Sequence, residues 1–141
     1  MMTDVKINAG INANERIDDL CRDNLRLIQN TDVFCFGMDA VLLSTFAKAG
    51  KNQKVLDMGT GNGVIPILMQ AKNPGSMYTG LEIQDISYDL AVRNVELNSL
   101  SDKVNIVKGD IKAASHILGG ASFNVVTSNP PYMLSLIHIS E

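Results

Sequence analysis

The stretch Lys54-Val55-Leu56-Asp57-Met58-Gly59-Thr60-Gly61-Asn62-Gly63 decides the fold. An apolar run ends on a carboxylate, and glycines follow at alternate positions. The run over 54–58 reads as a strand. The glycines read as a tight turn whose backbone can approach a ligand closely. The spacing predicts a short helix over 63–71, with Pro66 in its first turn, where proline is tolerated. The start of that helix presents unpaired N–H groups to whatever the turn holds. A dinucleotide fingerprint would place its third glycine at Val64, not at Gly63. The spacing therefore favours a ligand without a pyrophosphate.

Outward from this stretch the chain alternates. Strands are expected over 77–83, 104–108 and 123–127, and helices over 85–98 and 112–118. Leu90, Val92, Val95 and Leu97 are among the apolar positions of the longer helix. Such βαβ order implies an α/β fold, a parallel sheet with helices on both faces. Upstream, 25–29 and 33–36 read as two strands of a hairpin, turned by Asn30-Thr31-Asp32. Gly37 breaks the run. A mostly buried helix is expected over 39–49, ended by Gly50. Residues 1–14, rich in Asn and Gly, read as a loose leader.

The chain has 141 residues, one domain's worth. Apolar residues make up 45% and charged residues 19%, the balance of a globular protein with a real core. The 12 Lys and Arg against 15 Asp and Glu give a net charge of -3, which argues against a surface that grips nucleic acid all over. A local basic face is compatible with it. Lys48, Lys51 and Lys54 form a small basic cluster that reads first as a solvated helix end. Cys21 and Cys35 are too few for a disulfide scaffold, and with His116 and His138 they lack zinc spacing. No apolar run has membrane-spanning length, and the first residues lack a signal-peptide core. A reduced, cytoplasmic compartment is expected.

The last residues, Leu134 to Glu141, look like the conceptual translation of a transposase-type sequencing adapter. They are expected to be a non-native tail that interrupts the natural frame near Met133, with a native short strand as the alternative. His138 carries no functional weight on that reading.

In open parallel sheets ligands bind beyond the carboxyl ends of the strands. Four such ends carry signals here. The first is the glycine turn after Asp57. The second is Glu82, a carboxylate suited to both hydroxyls of a ribose, or else a solvated strand-end acid. The third is Gly109-Asp110-Ile111. Asp110 can accept from an adenine amino group while Ile111 packs on the ring, or Asp110 can cap the following helix. Both hold together, since a carboxylate has two oxygens. The fourth, Ser128-Asn129-Pro130-Pro131-Tyr132, is the most specific. Two prolines stiffen the backbone and remove two donors, leaving carbonyls and the Asn129 oxygen as acceptors. Such acceptors suit a planar amino group that must free its lone pair to become a nucleophile. Tyr132 offers a flat face for a flipped base. The alternative is a plain proline turn.

Together these residues resemble the class I S-adenosylmethionine-dependent methyltransferases. Asp57, Gly59, Thr60, Gly61, Asn62 and Gly63 look like the motif that holds the methionine part of S-adenosyl-L-methionine. Glu82, followed by Ile83, matches the ribose-binding acid. Asp110, followed by Ile111, matches the adenine-binding acid. Asn129, Pro130, Pro131 and Tyr132 look like the catalytic motif of the amino-methylating branch, with Asn129 also near the cofactor.

Upstream, Glu15-Arg16-Ile17-Asp18-Asp19-Leu20 and Phe34 to Leu43 resemble the bacterial tRNA adenosine N6-methyltransferases that modify valine tRNA next to its anticodon. By that resemblance Phe36 and Asp39 lie near the methionine end. Ordinary core is the alternative for Phe36, and a helix N-cap for Asp39.

The resemblance implies a Rossmann-like methyltransferase sheet cut after its fourth parallel strand, with a short N-terminal strand and helix cap. Residues 1–50 would be leader and cofactor-covering cap. Residues 51–133 would be the N-terminal half of the catalytic domain, and 134–141 the tail. It implies direct methyl transfer to an adenosine of tRNA, with no metal, no membrane and a monomeric complete enzyme. Met58 stands where the family often has leucine, a volume-conserving change. The family sheet has further strands beyond the catalytic loop. Without them an inactive cofactor-binding fragment is an alternative. Release-factor glutamine N5-methylation is another, since both targets are planar amino groups. A DNA adenine methyltransferase is a third, although no base-recognition domain is visible.

Overall fold

The computed structural model describes residues 10–32, 37–119 and 123–129. Two short strands, β1 (Glu15–Asp19) and β2 (Arg26–Asn30), precede helix α1 (Met38–Phe46). Strands and helices then alternate as β3 (Lys54–Met58), α2 (Val64–Lys72), β4 (Met77–Glu82), α3 (Asp85–Leu97) and β5 (Val104–Lys108). A 3-10 turn (Ile111–Ala113) leads into the single-turn α4 (Ala114–Ile117), and β6 (Val125–Ser128) follows.

The main sheet is parallel, in the order β5-β4-β3-β6. The chain steps outward from β3 to β4 to β5, then returns to the far side of β3 for β6. The right-handed rule for parallel crossovers puts α2 and α3 over one face of the sheet. β3 thus stands where the strand order reverses. Register aligns the ends, Met58 opposite Leu81 and Ser128, and Glu82 opposite Lys108. All four carboxyl ends therefore open on one edge. The outer side of β6 meets no further strand among the described residues.

The core lies between this sheet and α2. Val64, Ile65, Ile67, Leu68 and Met69 are buried there against Val55, Tyr78 and Val104. α2 is apolar nearly all round, as a helix enclosed on several sides must be. Buried Tyr78 keeps its hydroxyl within 3.2 Å of the Met69 carbonyl and 3.0 Å of the Asn73 carbonyl. Its ring therefore fills the core without stranding a polar atom.

The four expected parallel strands and the long helix form within two residues of their expected bounds, the ordinary scatter of such ends. The upstream elements differ. β2 pairs antiparallel with β1, Ile17 opposite Ile28, rather than with 33–36, which lies outside the described residues. The hairpin turns through Cys21, Asp23 and Asn24, whose φ values are 55°, 51° and 59°. Asp and Asn tolerate that left-handed region better than most side chains. The turn signal was therefore Asp23-Asn24 and not Asn30-Thr31-Asp32. α1 stops at Ala47 in extended backbone, short of Gly50. The Ser44 and Thr45 hydroxyls both donate to the Val41 carbonyl, at 2.7 and 2.9 Å, competing with the helix's own bonds there. Nor is α1 mostly buried: only Ala40 and Ser44 are, while Leu42 and Phe46 stand exposed. The expected helix over 112–118 resolves into the 3-10 turn and α4.

The hairpin is docked on α3 by side chains. Asn98 Oδ1 accepts from the Arg26 N–H at 2.8 Å, and its Nδ2 donates to the Arg26 carbonyl at 2.7 Å. Asn94 does the same to Ile28, at 2.6 and 3.1 Å. Four helical residues advance about 6 Å and two strand residues about 6.6 Å, so one face of α3 matches one edge of β2. Two amides thereby stand in for a neighbouring strand. Beside them Arg93 makes a two-pronged pair with Glu15, Nη1 to Oε2 and Nη2 to Oε1, each 2.8 Å. That guanidinium holds the Glu15 carboxyl below its ordinary range, and Glu15 in turn raises Arg93.

Candidate functional site

The glycine turn lies at the carboxyl end of β3, where the strand order reverses. Gly59, Gly61 and Gly63 have φ of 68°, 59° and 84°. A side chain is disfavoured at each position, and alternation of such residues coils the backbone into a closed loop. Among the described residues, and apart from the chain neighbours, no heavy atom lies within 4 Å of where a Cβ would stand on Gly59 or Gly61, so that side of the loop is an open cradle. A Cβ on Gly63, the N-cap of α2, would stand 3.5 Å from Ala91 of α3.

The loop is tied down from β4. The Thr60 N–H donates to the Leu81 carbonyl at 2.9 Å. Glu82 Oε1 accepts from the Gly61 N–H at 2.7 Å, and Oε2 from the Gln84 N–H at 2.9 Å. Glu82 is 7% exposed. This strand-end acid is therefore no freely solvated carboxylate: both oxygens are aimed by backbone donors. A carboxylate has about four lone-pair positions, so further acceptor capacity remains.

Asp57 is 1% exposed. Its Oδ1 accepts from the Thr127 hydroxyl at 2.7 Å, while Oδ2 and the Thr60 hydroxyl have no partner among the described residues. Burial pushes the Asp57 carboxyl up to about 6. Thr127 and the nearby Thr60 side chain oppose that shift, and the Glu82 charge adds to it. Unpaired buried polar atoms are rare and mark a place for strain, solvent or ligand. Asn62 is turned inward: its Oδ1 faces the Val64 N–H at 3.3 Å, and its carbonyl accepts from Asn94.

Asp110 caps the 3-10 turn, Oδ1 to the Lys112 N–H at 3.0 Å. The capping alternative is thus realised, and Oδ2 is left for another donor. Ile83 and Ile111 both present exposed side chains beside these acids in sequence. The Gly109 N–H donates to the Glu82 carbonyl at 3.0 Å and fixes the β5 end against β4. Asn129 follows directly on β6, next to β3. Asp39 lies in the first turn of α1, whose N-cap is Gly37; Asp39 is therefore not the cap. Its charge still suits the positive helix start. Phe36, Pro130, Pro131 and Tyr132 lie outside the described residues, as does the tail 134–141. Among the described residues no group of His, Cys, Asp and Glu is arranged to hold a metal, and no helix is long and apolar enough to cross a membrane.

Three supporting residues escaped the sequence reading. Gly80 sits inside β4, where a Cβ would come within 2.8 Å of the Thr60 Cγ2, so its absence lets Thr60 fold over the strand. An isolated glycine within a strand signals such close approach. Thr127, on β6, donates its hydroxyl to Asp57 Oδ1. Asn94 joins the loop to the hairpin. Neither Thr127 nor Asn94 carries a local pattern that separates it from ordinary polar residues.

Residues 24–137 match the family described as methyltransferase small domain. A tRNA1(Val) (adenine(37)-N6)-methyltransferase of Porphyromonas gingivalis is 35% identical over 111 residues, which cover 74% of this chain and 44% of that protein. A release factor glutamine methyltransferase of Chlorobaculum tepidum is 34% identical over 80 residues, covering 56% and 27%. Among solved structures, a SAM-dependent methyltransferase from Agrobacterium tumefaciens superposes with a TM-score of 0.65 at 17% identity, over 86% of this chain and 41% of that one. That last likeness shows the fold. The chain spans about 44% of the length of the tRNA-modifying relative.

Proposed function

The chain belongs to the methyltransferase small domain family, and on that premise we propose that it acts in S-adenosyl-L-methionine-dependent N6-methylation of an adenosine in tRNA. The target is valine tRNA, next to the anticodon, as the name of the 35%-identical relative suggests. The observation that carries this reading is the gathering of the glycine loop, Glu82, Asp110 and Asn129 at one edge of the sheet.

The residues present fit such a cofactor. Gly59 and Gly61 leave a cradle that any Cβ would fill. Glu82 keeps two acceptor positions for ribose hydroxyls beyond its two backbone partners. Asp110 keeps an oxygen for an adenine amino group, and Ile83 and Ile111 supply apolar flanks. Asp57 and Thr60 retain unpaired polar atoms under the loop, at the end assigned to the methionine part. Asn62 acts there through its backbone, and Gly63 lets the helix start close by. The family resemblance assigns Phe36 and Asp39 to the segment that covers that end.

When bound, S-adenosyl-L-methionine supplies an electrophilic methyl group on a sulfonium. The chain's own part is positioning and acceptor electrostatics. Asn129 Oδ1 and the Pro130 carbonyl accept from the target amino group and draw its lone pair out of the ring. Pro131 stiffens that backbone, and Tyr132 stacks the flipped base. No covalent enzyme intermediate enters this scheme.

Glutamine methylation of a release factor is the second reading, favoured by the 34%-identical relative over its shorter match. Incubation with S-adenosyl-L-methionine and either valine tRNA or release factor, followed by mass analysis, separates them. The expected product is N6-methyladenosine in tRNA, lost in Asn129→Ala with cofactor binding kept. A mass gain on the release factor, or unchanged turnover in that variant, overturns the assignment. Cofactor binding with transfer to neither substrate supports the chain's acting as a cofactor-binding fragment.

A further inference from the structure

Asn94 is 0% exposed and touches two functional segments at once. Its Oδ1 accepts from the Ile28 N–H of the hairpin, and its Nδ2 donates to the Ile28 carbonyl. The second Nδ2 hydrogen goes to the Asn62 carbonyl of the glycine loop at 2.9 Å. Both donors and the acceptor are therefore engaged. Asn98, one turn along, grips Arg26 of the hairpin in the same two-bond way, but its other hydrogen returns to the Asn94 carbonyl at 2.8 Å. The two amides do the same work on the hairpin. Only Asn94 also holds the loop.

The bond lands at a sensitive point. Asn62 stands between Gly61 and Gly63, both in left-handed backbone. Its carbonyl belongs to the peptide that enters Gly63, so fixing that oxygen fixes the turn into α2. β4 already holds the other half of the loop through Thr60 and Gly61. With Asn94 gone, that half stays tied, while the half leading into α2 keeps only bonds internal to the turn, the Gly63 N–H to the Thr60 carbonyl at 3.0 Å and the Val64 N–H to Asn62 Oδ1 at 3.3 Å.

We propose that Asn94 is a positioning residue that couples the N-terminal hairpin to the cofactor loop, so that docking of the hairpin and affinity for the cofactor are linked. The inference rests on the cofactor reading above. Linkage makes the coupling reciprocal: whatever orders the loop also steadies the hairpin.

Two measurements test it, both on the 141-residue chain with S-adenosylhomocysteine as probe. The first is calorimetric titration of the unaltered protein, Asn94→Ala and Asn98→Ala. Asn94→Ala is expected to weaken binding about tenfold or more, and Asn98→Ala by no more than about threefold, although each loses two hairpin bonds. Equal weakening in both variants, or in neither, overturns the proposal. The second needs no variant and stands if Asn94→Ala fails to fold. Saturating probe should slow hydrogen exchange at the Ile28 amide beyond the slowing at Val55, which reads global stabilisation. Equal slowing at the two amides overturns the proposal. Absence of binding by the unaltered, folded chain overturns the cofactor reading itself, and this inference with it.

Discussion

The Thr127 hydroxyl donates to Asp57 Oδ1 at 2.7 Å, joining β6 to β3 directly beneath the glycine loop. The other carboxyl oxygen has no partner among the described residues, and burial raises the group from 3.8 to about 6. A raised carboxyl binds its proton more tightly folded than unfolded. Its stabilising contribution is fully present below 3.8 and is lost as pH rises through about 6. That rise of the carboxyl corresponds to about 3 kcal/mol. Asp57→Asn keeps the shape and removes the titration. Denaturant unfolding at stepped pH should show the unaltered protein gaining on that variant as pH falls through this window. A constant difference between the two would contradict it.

Thr127→Val replaces the hydroxyl with a methyl of nearly the same size. The Asp57 carboxylate then loses its donor, and at neutral pH the cost should be about 1–3 kcal/mol. The cost should shrink below about pH 6, where the carboxyl is protonated in the folded state. Unfolding curves at pH 8 and pH 5 check this. An equal cost at both would mean the hydroxyl only fills space.

Gly80→Ala should displace Thr60. The added Cβ would stand 2.8 Å from Thr60 Cγ2 and 2.9 Å from its Oγ1, with Ile106 Cδ1 at 3.0 Å on the other side. Overpacking of this kind costs about 1–3 kcal/mol. Because Thr60 begins the loop, the variant should also bind S-adenosylhomocysteine more weakly. Thermal unfolding and titration together check it; unaltered affinity would show that the loop absorbs the shift.

The Arg93–Glu15 pair sets an opposite pH trend. Its hydrogen bonds lower the Glu15 carboxyl from 4.5, so its stabilisation is present above that value and is lost as pH falls through the lowered one. Arg93→Met keeps the packing stem and removes the pair. Its destabilisation should be larger at pH 7 than at pH 3. Hydrogen exchange of β1 amides would report where the loss falls, and uniform loss across the sheet would contradict a local hairpin tie.

The main sheet was legible because its signals are local. Val55, Leu56 and Met58 give Lys54 to Met58 a strand's length and apolar content, and Gly59, Gly61 and Gly63 have few roles other than a turn of positive φ. Asp57, Glu82 and Asp110 announce themselves by standing at or just past the carboxyl ends of such strands. The hairpin was misread because Glu15-Arg16-Ile17-Asp18-Asp19 is charge-rich, as a strand at a sheet edge often is. Its fit depends on Asn94, Asn98 and Arg93, some seventy residues away. α1 was read as buried from its apolar content, yet composition does not say which face finds a partner. Leu42 and Phe46 found none among the described residues. The Glu82 grip on Gly61 was out of reach for the same reason: it joins the ends of two strands that only the folded sheet brings together.

Titration calorimetry of the folded chain with S-adenosylhomocysteine, beside Glu82→Ala, tests the central claim most directly. Glu82 both aims the loop through Gly61 and offers the ribose acceptors. Saturable one-site binding by the unaltered chain, weakened about tenfold or more in Glu82→Ala, is the predicted result. No binding by the folded, unaltered chain, or the same affinity in the variant, would contradict it.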